Sequence, residues 1–135
     1  MAFNSPAMFP IETIYGQIIG KANNYQIDPR HYARIIKSDK VRAYEREFIR
    51  QCTIYKGKQI NCPFELVVAV YYRHHNFDLD NSLKTLLDCL QYVGAITNDN
   101  LCTRIIADKM LDPAHPRVEF SIIADPEPTS LFSGA

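Results

Sequence analysis

Residues 64–94 read FELVVAVYYRHHNFDLDNSLKTLLDCLQYVG. The first nine, Phe64 to Tyr72, form a nearly continuous apolar run after Pro63, which predicts a central strand buried on both faces. From Asp80 the period changes. Leu83, Leu86, Leu87, Leu90 and Val93 recur at helical spacing, and Gly94 is a residue that ends such a helix. A strand followed by a helix of this kind predicts helices packed on a sheet.

Outward from that core the chain continues in the same style. Residues 12–19 are β-branched and aromatic and read as a strand, and Lys21 to Gln26 reads as a polar loop. Residues 31–37 fit either a short strand or an irregular segment. From Ser38, an N-cap residue type, Val41, Tyr44, Phe48, Cys52 and Tyr55 recur at helical spacing, with Gly57 as terminator. Two further strands are expected at about 101–109 and 117–124, joined by the turn-rich Asp112-Pro113-Ala114-His115-Pro116. The expected fold class is a small α/β (α+β) domain, with two main helices on a mixed sheet of about four strands. One domain over 1–125 and a flexible tail over 126–135 complete the outline.

At 135 residues, 47% apolar and 22% charged, the composition is that of a globular protein with a real core. No apolar run is long enough to span a bilayer, and the N-terminus lacks the pattern of a secretion signal, so a cytoplasmic protein is expected. Cys52, Cys62, Cys89 and Cys102 are scattered without a C-x-x-C pair, as expected for free thiols in a reducing compartment. Net charge is zero, yet residues 1–77 carry 11 basic and 6 acidic residues, against 4 and 9 in residues 78–135. A basic half joined to an acidic half suits a protein that grips a polyanion and also collects cations.

The acidic half carries the chemistry. Asp80, read as the helix N-cap, would meet free backbone N–H groups there. Asp78, two residues upstream on an extended approach, would point the same way as Asp80 while Leu79 turned inward. Lys84 and Asp88 follow at successive steps of four on one helical face. For Asp88 a salt bridge on the helix surface explains as much as a catalytic role. Asp99, beyond the Gly94 turn, is either a turn former or a third carboxylate folded back toward the helix start. Three crowded carboxylates repel unless a cation joins them, and Mg²⁺ takes oxygen ligands of this kind.

Over residues 70–123 the chain resembles the RusA family of Holliday junction resolvases, small endodeoxyribonucleases common in prophages. The family pattern is Asp-x-Asp-Asn-x-x-Lys-x-x-x-Asp, then a glycine, an acidic pair and a strand-borne lysine. Here it reads FDLDNSLKTLLDCLQYVGAITNDN over 77–100 and RIIADK over 104–109. The resemblance implies metal binding by Asp78, Asp80 and Asp99, and a catalytic role for these three and for Lys84. It implies Mg²⁺ as cofactor, with Mn²⁺ as a substitute, and a homodimer that nicks opposed strands of a four-way DNA junction in recombination and repair. Lys21, Arg42, Arg46, Arg73 and Lys109 are the expected contacts to DNA phosphates. Two positions depart from the pattern. The acidic pair is Asn98-Asp99, and the arginines usual before the motif are thinned to Arg73-His74-His75-Asn76. These departures keep a second expectation in view, a catalytically weakened protein that binds junctions without cutting them. A third is a structural dimer whose acids only cap and solvate the helix.

Overall fold

The computed structural model describes residues 10–20, 25–27, 35–37 and 39–127. Strand β1 spans Glu12–Tyr15, β2 Tyr25–Ile27 and β3 Ile35–Lys37; helix α1 spans Asp39–Gln51. Then come β4 (Phe64–Tyr72), α2 (Leu79–Tyr92), β5 (Cys102–Leu111) and β6 (Arg117–Ala124). The main sheet has the order β1-β6-β4-β5, mixed in direction, while β2 and β3 form a separate antiparallel pair. The β4–β5 pair is parallel, and β6 runs antiparallel to both β4 and β1. This is the α+β fold read from the sequence: four strands in a mixed sheet and two helices.

Several expectations shift in detail. The strand expected over 12–19 stops at Tyr15, and Tyr25–Ile27 is a strand where a loop was expected. Residues 35–37 take the strand alternative. Ser38, the expected cap of α1, and Lys21 lie outside the described residues, as does the tail beyond Glu127. Helix α1 ends at Gln51, and Gly57, instead of terminating it, turns the chain farther on at φ +73°.

The largest correction concerns β4. Its burial alternates, with Phe64, Leu66, Val68, Val70 and Tyr72 buried and the residues between them only half-buried. The strand has one core face, not two. Its apolar run is continuous because Val67, Ala69 and Tyr71 occupy the second face, beside the half-buried Glu65.

The core lies on the first face. Val41, Tyr44 and Phe48 are buried on α1, Leu86, Cys89 and Leu90 on α2, and Val118, Phe120 and Ile122 on β6. Phe120 stacks on Phe48 at 6.0 Å between ring centroids and lies 5.6 Å from the Tyr55 ring. Each such aliphatic or aromatic side chain contributes about 1.5–3 kcal/mol on burial. Gly94 closes α2 at φ +74°, and a Cβ there would lie 2.7 Å from Gln59 Nε2. The chain returning from α2 therefore runs tightly against the turn that follows α1, with Gln59 N donating to Gly94 O at 2.9 Å. That packing fixes the C-terminal end of α2.

Candidate active site

The C-terminal end of β4 and the start of α2 meet through five residues, Arg73 to Phe77, and this link is pinned from several sides. The Tyr72 hydroxyl donates to Ser82 Oγ at 2.6 Å, and Ser82 Oγ donates in turn to the carbonyl of Asp78 at 3.1 Å. Phe77 stacks on Tyr72 at 5.3 Å, and His74 on Phe77 at 4.6 Å. Lys109, on the neighbouring β5, extends its ammonium to the carbonyls of His75 and Phe77, both at 2.7 Å. Arg73 N donates to the buried Gln17 side chain at 2.8 Å. From the other side, Thr85 Oγ1 donates to Ile19 O at 2.7 Å. The backbone at Gly20 then comes so close to α2 that a Cβ would meet Asn81 Cβ at 2.9 Å.

This framework presents two acids. Asp78, not Asp80, is the N-cap of α2; its backbone is extended (φ −94°, ψ 125°), and its side chain makes no capping bond. Asp80 sits in the first turn. Both are exposed, while Leu79 between them packs on the core. Asp78 Oδ2 accepts only a long bond from Asn81 Nδ2 at 3.3 Å. An N-cap residue whose carboxylate turns away from the helix N–H groups leaves its lone pairs facing outward. Both acids raise the pKa of the Tyr72 hydroxyl, although burial is the larger cause. A concavity of about 160 Å³ opens here, lined by Gly20, Asn76, Asp78 and Asn81 among others. Lys84 is exposed one helical turn beyond Asp80.

Asp99 is elsewhere. It opens a short 3-10 turn, Asp99–Leu101, and its N–H donates to Gln91 Oε1 at 2.6 Å. Gln91 belongs to the last turn of α2, so Asp99 stands at the opposite end of the helix from Asp78 and Asp80. At 1.5 Å per residue this separation is on the order of 15–20 Å. The expectation that Asp99 folds back to the helix start within one chain is therefore replaced by a split arrangement. Among the described residues no group of three His, Cys, Asp or Glu side chains is placed to hold one metal ion. Asn98, where the family pattern carries its first acid, caps the 3-10 turn by accepting from Asn100 N at 2.9 Å.

The expected phosphate contacts split in the same way. Arg73 is exposed beside the Asp78 end. Lys109 is there too, but its ammonium is occupied by two carbonyls, which makes it an anchor for the link. Arg42 and Arg46 line an open groove of about 390 Å³ with Tyr92, toward the Asp99 end of α2. His74 and His75 lie in a bend, not on a strand, and both are exposed. Reasoning from the sequence missed the anchoring roles of Ser82, Thr85 and Lys109. The legible signal was the pair Ser82 and Thr85, polar residues placed where the helix turns inward.

Asp78 and Asp80 are hard oxygen donors with free lone pairs. Two such carboxylates completed by water and phosphate oxygens make the usual protein share of a Mg²⁺ site, so the residues present fit that ion. The family model described as endodeoxyribonuclease RusA matches residues 16–123. Among curated proteins no sequence matches this chain.

Proposed function

The chain belongs to the RusA endodeoxyribonuclease family of Holliday junction resolvases, and from that membership we propose that it is a Mg²⁺-dependent nuclease that nicks opposed strands of four-way DNA junctions. The observation that carries this reading is the pair Asp78 and Asp80, exposed and uncommitted at the start of α2 on a link pinned from several sides. Asp78 and Asp80 would hold the cation beside the scissile phosphate. Bound there, Mg²⁺ would offset phosphate charge and acidify an attacking water. Lys84 would place its positive charge where negative charge builds on the phosphate during displacement. Arg73 would seat the DNA backbone next to this group, with Arg42 and Arg46 reaching a more distant arm.

The place of Asp99 supports a homodimer. A carboxylate at the far end of α2 cannot complete its own chain's site, but a two-fold axis can carry it to the start of the partner's helix. Each of the two sites would then combine Asp78, Asp80 and Lys84 of one protomer with Asp99 of the other. A two-fold protein also matches the two-fold symmetry of paired nicking.

The test is incubation of the protein and its Asp80→Asn variant with a synthetic four-way junction and Mg²⁺. Nicking by the parent and its loss, by about 100-fold or more, in the variant is expected. Equal cleavage by both would sink the assignment. Asn98 motivates the runner-up, a junction-binding protein with weakened catalysis. That reading predicts a gel shift specific to junctions without metal, and no nicking under Mg²⁺ or Mn²⁺.

A further inference from the structure

Strand β5 is the last strand of the main sheet, and no described strand pairs with its outer edge. It is ten residues long, and Ile105, Ile106, Met110 and Leu111 are each 39–59% exposed on it. A long strand edge with free backbone N–H and C=O groups and apolar side chains recruits another strand. We propose that the occupant is β5 of a second copy, paired antiparallel about a two-fold axis at Ile106. This deepens the dimeric reading above by naming the surface on which the partner docks, and it rests on the edge itself.

The register follows from symmetry and charge. A two-fold axis normal to the sheet keeps each side chain on its own face, so a residue of β5 must sit opposite itself at the centre. Parallel pairing with β4 places Arg104, Ile106 and Asp108 on one face, beside Glu65, Val67 and Ala69. Centring on Ile106 sets Arg104 opposite Asp108 of the partner, and Asp108 opposite the partner's Arg104. The Ile106 side chains then meet between two ion pairs. Centring on Ile105 or Ala107 leaves a charge facing an apolar residue. Centring on Arg104 or Asp108 sets like charges face to face, which is destabilising. Only the Ile106 register matches charge with charge and apolar with apolar. Among the described residues the charge partner of exposed Arg104 is the half-buried Glu65 at 4.0 Å, so little is lost when it turns to a new partner.

The same register has a consequence for the site. Running antiparallel, the start of one β5 lies beside the end of the other, so Thr103 faces the partner's Lys109. Asp99, just ahead of β5, is carried toward the partner's copy of the link before Asp78, the one whose carbonyls that Lys109 holds. The interface thus brings together the residues that one chain keeps apart.

The decisive experiment is oxidation of an Ile106→Cys variant, with the parent chain as background for the native cysteines. Residues facing each other across an antiparallel pair have Cα atoms about 4.5–5.5 Å apart, within disulfide reach. A covalent dimer on a non-reducing gel, well above the parent background, is expected. Sedimentation provides the second readout. Asp108→Arg should weaken dimerisation by at least about tenfold, and Arg104→Asp added to it should restore the dimer. Absence of the cross-link overturns the proposal, and so does a parent chain that sediments as a monomer at tens of micromolar. Occupation of the edge by another segment of the chain would produce both of those results. Neither readout uses nuclease activity, so a chain that cross-links but cuts no junction keeps the interface and loses the proposed function.

Discussion

Lys109 shows how one side chain can hold a whole link in place. Its ammonium lies 2.7 Å from two carbonyls of the link before Asp78 and 5.6 Å from the centre of the Tyr72 ring. Lys109→Met removes both charge-assisted bonds, and a melting experiment should show destabilisation on the order of 1 kcal/mol. Junction cleavage should fall with it and recover in part in Lys109→Arg, which keeps a donor. Tyr44 is the opposite case, a buried hydroxyl without a hydrogen-bond partner among the described residues. Burial raises its pKa well above the usual phenol value. Tyr44→Phe should therefore leave thermal stability unchanged or raised by up to about 1 kcal/mol, since no bond is lost. Cys52 is held as a thiol. Burial first, and then its bond to the buried Glu12, push its pKa to about 12. At pH 8 a thiol reagent should label the half-exposed Cys62 and leave Cys52 untouched until the protein unfolds.

At the scale of elements, the connection between β5 and β6 is closed by charge. Asp112 accepts from Arg117 Nη1 at 2.8 Å, Arg117 also reaches Glu119 at 2.8 Å, and its guanidinium covers the Tyr71 ring at 3.7 Å. The bond to Arg117 holds Asp112 below the usual carboxylate range. A depressed pKa means the contribution is complete above about pH 5 and is lost as pH falls below about 4. Amide protection at Ala114, His115 and Arg117, taken relative to the intrinsic exchange rate at each pH, should fall through that acid window in the parent and stay flat in Asp112→Asn. The elements themselves were largely legible. The leucine stripe gave α2 to within a residue at each end, because a helix with one apolar face has only one way to lie on a core. The two faces of β4 were not legible. A valine on the second face of a sheet is written like a valine in the core, and only the positions of the helices separate them.

At the scale of the whole molecule, the candidate site was half legible. Asp78, Asp80 and Lys84 are local to one helix start, so sequence spacing places them. Asp99 depends on where the chain goes after α2, and that is decided by the tight approach of Gly94 to Gln59 and by the 3-10 turn capped by Asn98. Spacing carries no trace of it. The split arrangement makes a distinctive prediction. On the proposed homodimer with shared sites, Asp80→Asn and Asp99→Asn should each be inactive alone, yet a mixture should recover part of the activity, because a mixed dimer would hold one site with every carboxylate intact. If Asp99 served its own chain, both sites of a mixed dimer would be defective and mixing would recover nothing.

One strand therefore does two things. β5 carries the lysine that holds the link in place, and it is also the open margin of the sheet. Whatever stiffens that margin also stiffens the link. An isolated chain would carry a looser acid pair than a paired one, so turnover per chain should climb as the protein is concentrated and then level off. On this account dilution is an off switch, and an enzyme that cuts DNA stays idle until two copies have met.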